Sequence, residues 1–469
     1  MPRHAEQARH SRESGNPSPT LSPGRKVRGW IPAFAGMTLA FWGSVAQAQG
    51  PLLDAIKAND VAGVTSALAA GADPNERSSF GATPLAWAVS RQNPDMVRAL
   101  LAKGAKADMA ESDGQTPLAL ACELGDARIV TQLLDAHADV RAARLDGVTP
   151  LAICARFGPA NAVARMLAAG APADRPDAMG QTPLMWAASS GRVEAIAPLI
   201  RAGADVNRVS KGGFTPLFFA IRDGSVPACE ALMAAGAKAD YRGPERTSAL
   251  QLALYQHHYA AALLFVARSG DLAERDREGR QPLHVAASGG DADLVAAMLA
   301  KGADVNGLTG STTIKWVTEA NFGVPPPPVP PTPPLLMAAS GGHAAVMRQL
   351  VNAGAKADFV AADGTNVLLA AAAGGSVEAL DYALTLAPDA NFANAAGATP
   401  LHVVLNGGPK PALEPMLRLL AAHGARTDIA TKRGATAAQM AANGLSEVKS
   451  VFLKVFPQPP ATTLATVRK

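Results

Sequence analysis

At 469 residues the chain is long enough for about three ordinary domains of roughly 150 residues each, but 48% apolar content with only 5% aromatic content suits tightly stacked helices better than mixed domains. The net charge of +4 belongs to the first 48 residues, where Arg3, Arg9, Arg12, Arg25, Lys26 and Arg28 are set against Glu6 and Glu13 alone, and residues 49–469 are neutral overall. A body with no basic excess argues against a nucleic-acid binder that relies on phosphate contacts.

In chain order, Arg25, Lys26 and Arg28 precede an apolar stretch from Gly29 to Val45, and Ala46-Gln47-Ala48 follows. A positive segment, a short apolar core and an A-x-A site predict a secretory signal peptide over residues 1–48, cleaved after Ala48. The protein is then expected in the periplasm or outside the cell. The competing reading is an uncleaved membrane anchor, but the apolar run of about 17 residues is interrupted by Pro32, Gly36 and Gly43, which is marginal for a ~30 Å bilayer core. No other segment is long and apolar enough to span a bilayer. Residues Ser11 to Thr38 resemble the translated form of a dispersed repeat element of bacterial genomes, which makes Met37 an alternative start.

From residue 51 the chain is periodic. Prolines, usually in Thr-Pro-Leu, stand at Pro51, Pro84, Pro117, Pro150, Pro183, Pro216 and Pro282 in steps of 33, with Ala249 holding the skipped place. The phase resumes at Pro334, Val367 and Pro400, and Ala437 opens a final copy. A second signature runs in phase: Gly71-Ala72-Asp73-Pro74-Asn75, Gly203-Ala204-Asp205-Val206-Asn207 and Gly302-Ala303-Asp304-Val305-Asn306. A fixed period of this length means a repeat array, so about 12 copies replace the three-domain estimate.

Residues 81–108 show what one copy builds. Thr83 caps a helix and Pro84 suits its first turn. Leu85, Ala88 and Val89 share one face, and Asn93-Pro94 is read as the break. Met96, Val97, Leu100 and Leu101 form the stripe of a second helix, and Gly104 stands where a left-handed residue ends it. Ala105 to Gly114 returns as a turn or short hairpin. One such pair cannot bury both its faces, whereas stacked neighbours can.

The pattern G-x-T-P-L-x-x-A, an apolar helix, then G-A-D-V-N, repeated over residues 51 to about 455, resembles the ankyrin repeat. The resemblance implies an all-α solenoid of helix-turn-helix units with short β-hairpin or turn fingers over residues 49–456. The copies Pro51–Asn75 and Ala437–Phe456 would cap it, and residues 457–469 would be a disordered tail. It also implies a non-catalytic scaffold that binds a protein partner through its concave face and finger tips. Carried over by position, the contact candidates are Phe80, Met179, Arg208, Lys211, Tyr241, Arg242, Arg275, Arg277, Phe359 and Lys432. His284 and His402 match the family's histidine after Pro-Leu, whose role is to hold the turn by hydrogen bonds.

One insertion breaks the period. From Asn306 to Pro334 is a step of 28, where Asn207 to Pro216 is a step of 9. Residues 307–333 therefore project from the finger edge, with a proline run at 325–331 that favours an extended polyproline conformation. Trp316 and Phe322 make it a candidate partner contact, as against a tolerated surface loop.

Motifs for chemistry are absent from the sequence. There is no G-x-x-x-x-G-K-[ST], H-E-x-x-H, G-x-S-x-G, Cys-x-x-Cys or EF-hand loop, so no catalytic residue, cofactor, metal or small-molecule substrate is expected. Tyr255-Gln256-His257-His258-Tyr259 falls on a turn without further ligand spacing. Cys122, Cys154 and Cys229 are read as buried thiols, because packed helices lie about 8–10 Å apart and a disulfide needs Cα atoms within about 7 Å. Cys229 is two repeats from Cys154 and out of reach; Cys122 and Cys154 are on neighbouring repeats and stay open. The functional expectation is a periplasmic or secreted scaffold, with a secreted effector binding host proteins, a regulatory or protective subunit of an envelope enzyme, and a self-assembling structural protein as rivals.

Overall fold

Each copy of the period folds as a pair of antiparallel helices, and the third shows the causes. In the computed structural model, which describes residues 50–79, 81–268, 270–312 and 330–457, Thr116 is extended and its hydroxyl accepts from the Ala119 N–H at 3.2 Å. Pro117 opens the helix Pro117–Leu124, Gly125 ends it at φ 75°, and Asp126 caps the second helix, Ala127–Asp135, by accepting from Arg128 and Ile129. Leu118, Ala121 and Cys122 of the first helix and Ile129, Val130 and Leu133 of the second are buried. Among the described residues there are twenty-four such helices, from Pro51–Lys57 to Ser446–Val455, in twelve pairs. The chain divides into two units, Met1–Gln49 and Gly50–Lys469; the first lies outside the described residues, and with it the signal-peptide reading.

First helices pack on first helices and second on second, so one apolar core runs from Leu52 to Phe452. Small residues set the spacing: Ala121, Ala155, Ala187, Ala286 and Ala338 are fully buried where neighbouring first helices meet. The fold is thus an all-α solenoid. The insertion does not interrupt it, since Pro282–Gly289 packs directly on Pro334–Ser340. At its base the Thr309 N–H donates to the Thr332 carbonyl and the Thr332 N–H to the Thr309 hydroxyl. Ser210 and Phe214 close an ordinary finger in the same way, so the extra residues replace a three-residue tip.

One expectation is narrowed and two need correction. The fingers are turns, and among the described residues the one bridge is Ala430 with Thr436. In a typical finger the Asp177 N–H meets the Gln181 carbonyl while the Asp177 carboxylate accepts from Met179 and Gln181. The five-residue reversal is satisfied by that carboxylate and leaves no room for a ladder. Asn93-Pro94 does not break a helix; it starts one, with Asn93 accepting from Asp95 and Met96 and Pro94 in the first turn of Pro94–Ala102. Finally, Cys122 and Cys154 are joined by a disulfide, with Cα atoms 4.7 Å apart. Axis separation is the wrong measure: Cα atoms lie on a cylinder of about 2.3 Å radius, so residues facing each other across axes about 8–10 Å apart come within about 4–5 Å. Cys229 is a buried thiol, its pKa pushed up to about 12 by burial.

The last copy carries exposed polar residues, one of which reaches back to the copy before it. Glu447, Lys449 and Lys454 of the last helix are exposed, and Lys454 pairs with Glu414 at 2.8 Å. Residues 458–469 lie outside the described residues. Among the described residues no helix is long and apolar enough to cross a membrane.

Candidate protein-binding surface

Successive fingers are tied to one another by their own backbone. The Leu145 N–H donates to Asp113 O at 3.0 Å, Ala178 to Asp146 O at 2.8 Å, and Lys211 to Met179 O at 3.0 Å. Ala395 donates to Asp363 O and Lys432 to Ala396 O, both at 2.9 Å. Where these bonds occur the tips form a connected edge from which side chains project. Below it, the residue closing the G-A-D-V-N signature reaches the next copy. Asn207 donates to Gly236 O at 3.0 Å and accepts from the Lys238 N–H at 2.9 Å, and Asn75 does the same with Gly104 and Lys106.

Against that frame the contact candidates divide. Met179 is 60% exposed, Lys211 is exposed on the next finger, and Lys432 is exposed on the finger before the last copy. The arginines are engaged within the stack. Arg208 pairs with Asp174 at 2.7 Å, Arg277 with Glu245 at 2.5 Å and Arg242 with Glu274. Arg275 donates to the carbonyls of Gly279 and Leu308, each at 2.8 Å. Tyr241 donates to Gly213 O at 3.1 Å and meets the Phe218 ring edge-on, while Phe359 is half-buried against the core. Phe80, Trp316 and Phe322 lie outside the described residues.

A second set of residues, absent from the sequence candidates, lies on the first helices. Three residues after the lead proline stand Trp87, Trp186 and Phe219. Cations lie over their rings: Lys57 over Trp87 at 5.7 Å, Arg156 over Trp186 at 5.4 Å and over Phe157 at 4.8 Å, and Arg222 over Phe219 at 5.9 Å. Burial lowers the Arg156 pKa, which Asp223 partly offsets, and burial raises the Asp223 pKa. Phe157 is 42% exposed. Trp87 and Trp186 are half-buried, whereas Phe219 is 7% exposed and belongs to the core; half-buried aromatic rings with cations on their faces are residue types that dominate protein interfaces. The recurrence of an aromatic at one register position was the signal available in sequence.

Other polar groups have structural partners. His284 Nε2 bonds the carbonyls of Gly307 and Thr332, and His402 Nε2 that of Ala435, while each Nδ1 accepts from a backbone N–H three residues earlier. His258 Nδ1 bonds Ile221 O and His257 Nδ1 meets the Tyr259 hydroxyl. Among the described residues no three His, Cys, Asp or Glu side chains converge on a metal position. A crevice of about 330 Å³ between the third and fourth copies is lined by Leu134, His137, Arg141 and Arg165, with Arg141 donating to Gly170 O and Arg165 paired with Asp135.

A sequence model described as Ankyrin repeats (3 copies) matches residues 52–144, 125–210, 151–242 and 217–309, which together span more than half of the chain. No curated protein matches in sequence. Among solved structures, the human ASB11 ankyrin repeat domain is 27% identical over 48% of this chain and 99% of its own, with a TM-score of 0.42.

Proposed function

Since the chain belongs to the ankyrin-repeat family, whose members are typically non-catalytic binding modules, we propose that it is an exported scaffold that binds one protein partner. Its contact surface would be the finger edge together with the first-helix face of repeats four to six. The observation that carries this reading is the Arg156–Phe157–Trp186 cluster, with exposed Arg222 on the next first helix. Aromatic and arginine side chains left partly open beside a core that is otherwise closed are the composition of an interface centre. Met179 and Lys211 extend the same surface along the edge, and the loop carrying Trp316 and Phe322 would add to it.

Export is supported by two independent features. One is the positive, apolar and A-x-A segments ending at Ala48. The other is the Cys122–Cys154 disulfide, of a kind that persists in oxidising compartments and is rare in the cytosol. We take residues 1–48 as the leader, 49–456 as the binding domain and 457–469 as a tail.

The test is affinity capture from periplasmic extract. The bait is residues 49–469 beside three variants: Trp186→Ala with Phe157→Ala, Met179→Ala with Lys211→Ala, and a deletion of residues 311–330 that keeps the Thr309–Thr332 closure. A protein retained by the parent and lost with Trp186→Ala and Phe157→Ala supports the first-helix surface. Loss on the loop deletion alone moves recognition to the insertion. A partner held equally by all four refutes the surface, and an empty parent bait refutes a periplasmic partner.

A further inference from the structure

We propose that the seventh repeat, residues 240–273, is a hinge built into the solenoid, at which the stack opens before any other interior place. The inference does not depend on which surface binds the partner.

Three features converge on it. The first is the loss of the asparagine stitch on both sides. Asn75, Asn207, Asn306 and Asn391 each donate to a glycine carbonyl of the next copy and accept from a backbone N–H two residues beyond it. Asp108 and Asp174 retain the second bond, to Asp139 and Asp205. Asp240 is exposed and, among the described residues, makes no such bond to Asp271. In the following copy the position is Ala273, which has no group to offer. Asp358 also lacks the bond, but there the tips remain tied from Ala395 to Asp363.

The second feature is the tip itself. Where Lys211 donates to the preceding finger, the seventh repeat has Pro244, which has no N–H. The finger is closed by Glu245 at φ 56° and Arg246 at φ 61°, and His257 in the turn between the two helices adds φ 56°. These are three of the six non-glycine residues with positive φ among the described residues, and each is held in a region that costs energy for an L-residue.

The third feature is what replaces the missing bonds. The finger is joined to the next by two ion pairs, Arg242–Glu274 and Arg277–Glu245, beside which Gln251 donates to Arg275 O and Lys301 to Ala267 O. Arg277 and Glu245 are 59% and 61% exposed, so this seam is screened by salt in a way the backbone ladder elsewhere is not. In a solenoid each copy contacts only its neighbours. On the preceding side the ties are side-chain bonds, Tyr241 to Gly213 O and His258 to Ile221 O, so a copy that is strained and lacks the asparagine stitch on both sides opens locally, and the blocks on either side change their mutual angle.

Hydrogen exchange on the full chain, read by mass spectrometry, tests this. Amides of Ala249–Tyr255 and Tyr259–Ala267 are expected to exchange at least about tenfold faster than those of Pro183–Ala188 and Pro334–Ser340. Raising NaCl to about 0.5 M should widen that ratio. Ala273→Asn restores a donor and an acceptor facing the Gly302 carbonyl and the Asp304 N–H, and should slow exchange in the seventh repeat several-fold while leaving Pro117–Leu124 unchanged. Exchange in the seventh repeat no faster than in its neighbours would overturn the proposal. So would a gap that Ala273→Asn leaves as wide as before.

Discussion

Reducing the Cys122–Cys154 bond should weaken the fourth and third repeats by a calculable amount. The bond closes a loop with a sequence separation of 32. For a loop of that length the chain-entropy relation gives about 3.7 kcal/mol at 25 °C. Both sulfurs are buried, Cys122 at 0% and Cys154 at 1% exposure, so reductant reaches them only after local opening and equilibration will be slow. The assay is urea denaturation followed by far-ultraviolet circular dichroism, with and without a phosphine reductant. Cys122→Ala/Cys154→Ala serves as a control that must be indifferent to reductant. Because neighbours couple in one dimension, the transition that includes repeats three and four should move while later-unfolding repeats stay put. An oxidised protein that denatures at the same urea concentration as the reduced one would refute the entropic argument. Alkylation of three thiols in the unfolded protein without reductant, instead of Cys229 alone, would refute the bond itself.

Three more outcomes follow from single residues. Thr116→Ala should cost about 1 kcal/mol through loss of the cap on Ala119, whereas the buried Thr215 hydroxyl has no partner among the described residues and Thr215→Ala should change the unfolding free energy by less than about 0.5 kcal/mol in either direction. His137 sits at φ 58° where the other copies place Gly71, Gly104, Gly170 and Gly203, so His137→Gly should stabilise by about 0.5–1 kcal/mol once the added freedom of the unfolded chain is allowed for; destabilisation would mean that the side chain in the adjoining crevice has a binding partner inside the protein. Burial lowers the His284 pKa, so its contribution to stability is unchanged above about pH 6.5 and falls as the pH drops below it, because the unfolded imidazole then binds a proton that the folded one resists. His284→Gln should flatten the slope between about pH 6.5 and pH 5 in the same denaturation assay, and an unchanged slope would locate the titration elsewhere.

The helices were legible because their determinants are local: a Thr cap, a proline in the first turn, an apolar stripe and a terminal glycine recur in each copy and act within about four residues. Asn93-Pro94 shows the limit of that reasoning, since the residues that would break one helix are also those that start the next. The candidate surface was less legible because a variable, charged finger residue looks the same whether it faces solvent or its neighbour. Register decides between these. In a stack with a 33-residue period, the chain itself names the partner of each side chain. Asn75 reaches Lys106 at a separation of 31, Arg141 reaches Gly170 at 29, and Arg77 reaches Ala110 at 33. Arg275 meets Leu308 at 33 by the same rule. A long polar residue in this register is therefore mortar unless the acceptor one copy later is missing, and a tryptophan three places after the lead proline is partly open. Applied to the sequence, that rule moves Arg275 off the contact surface and puts Trp87 and Trp186 on it.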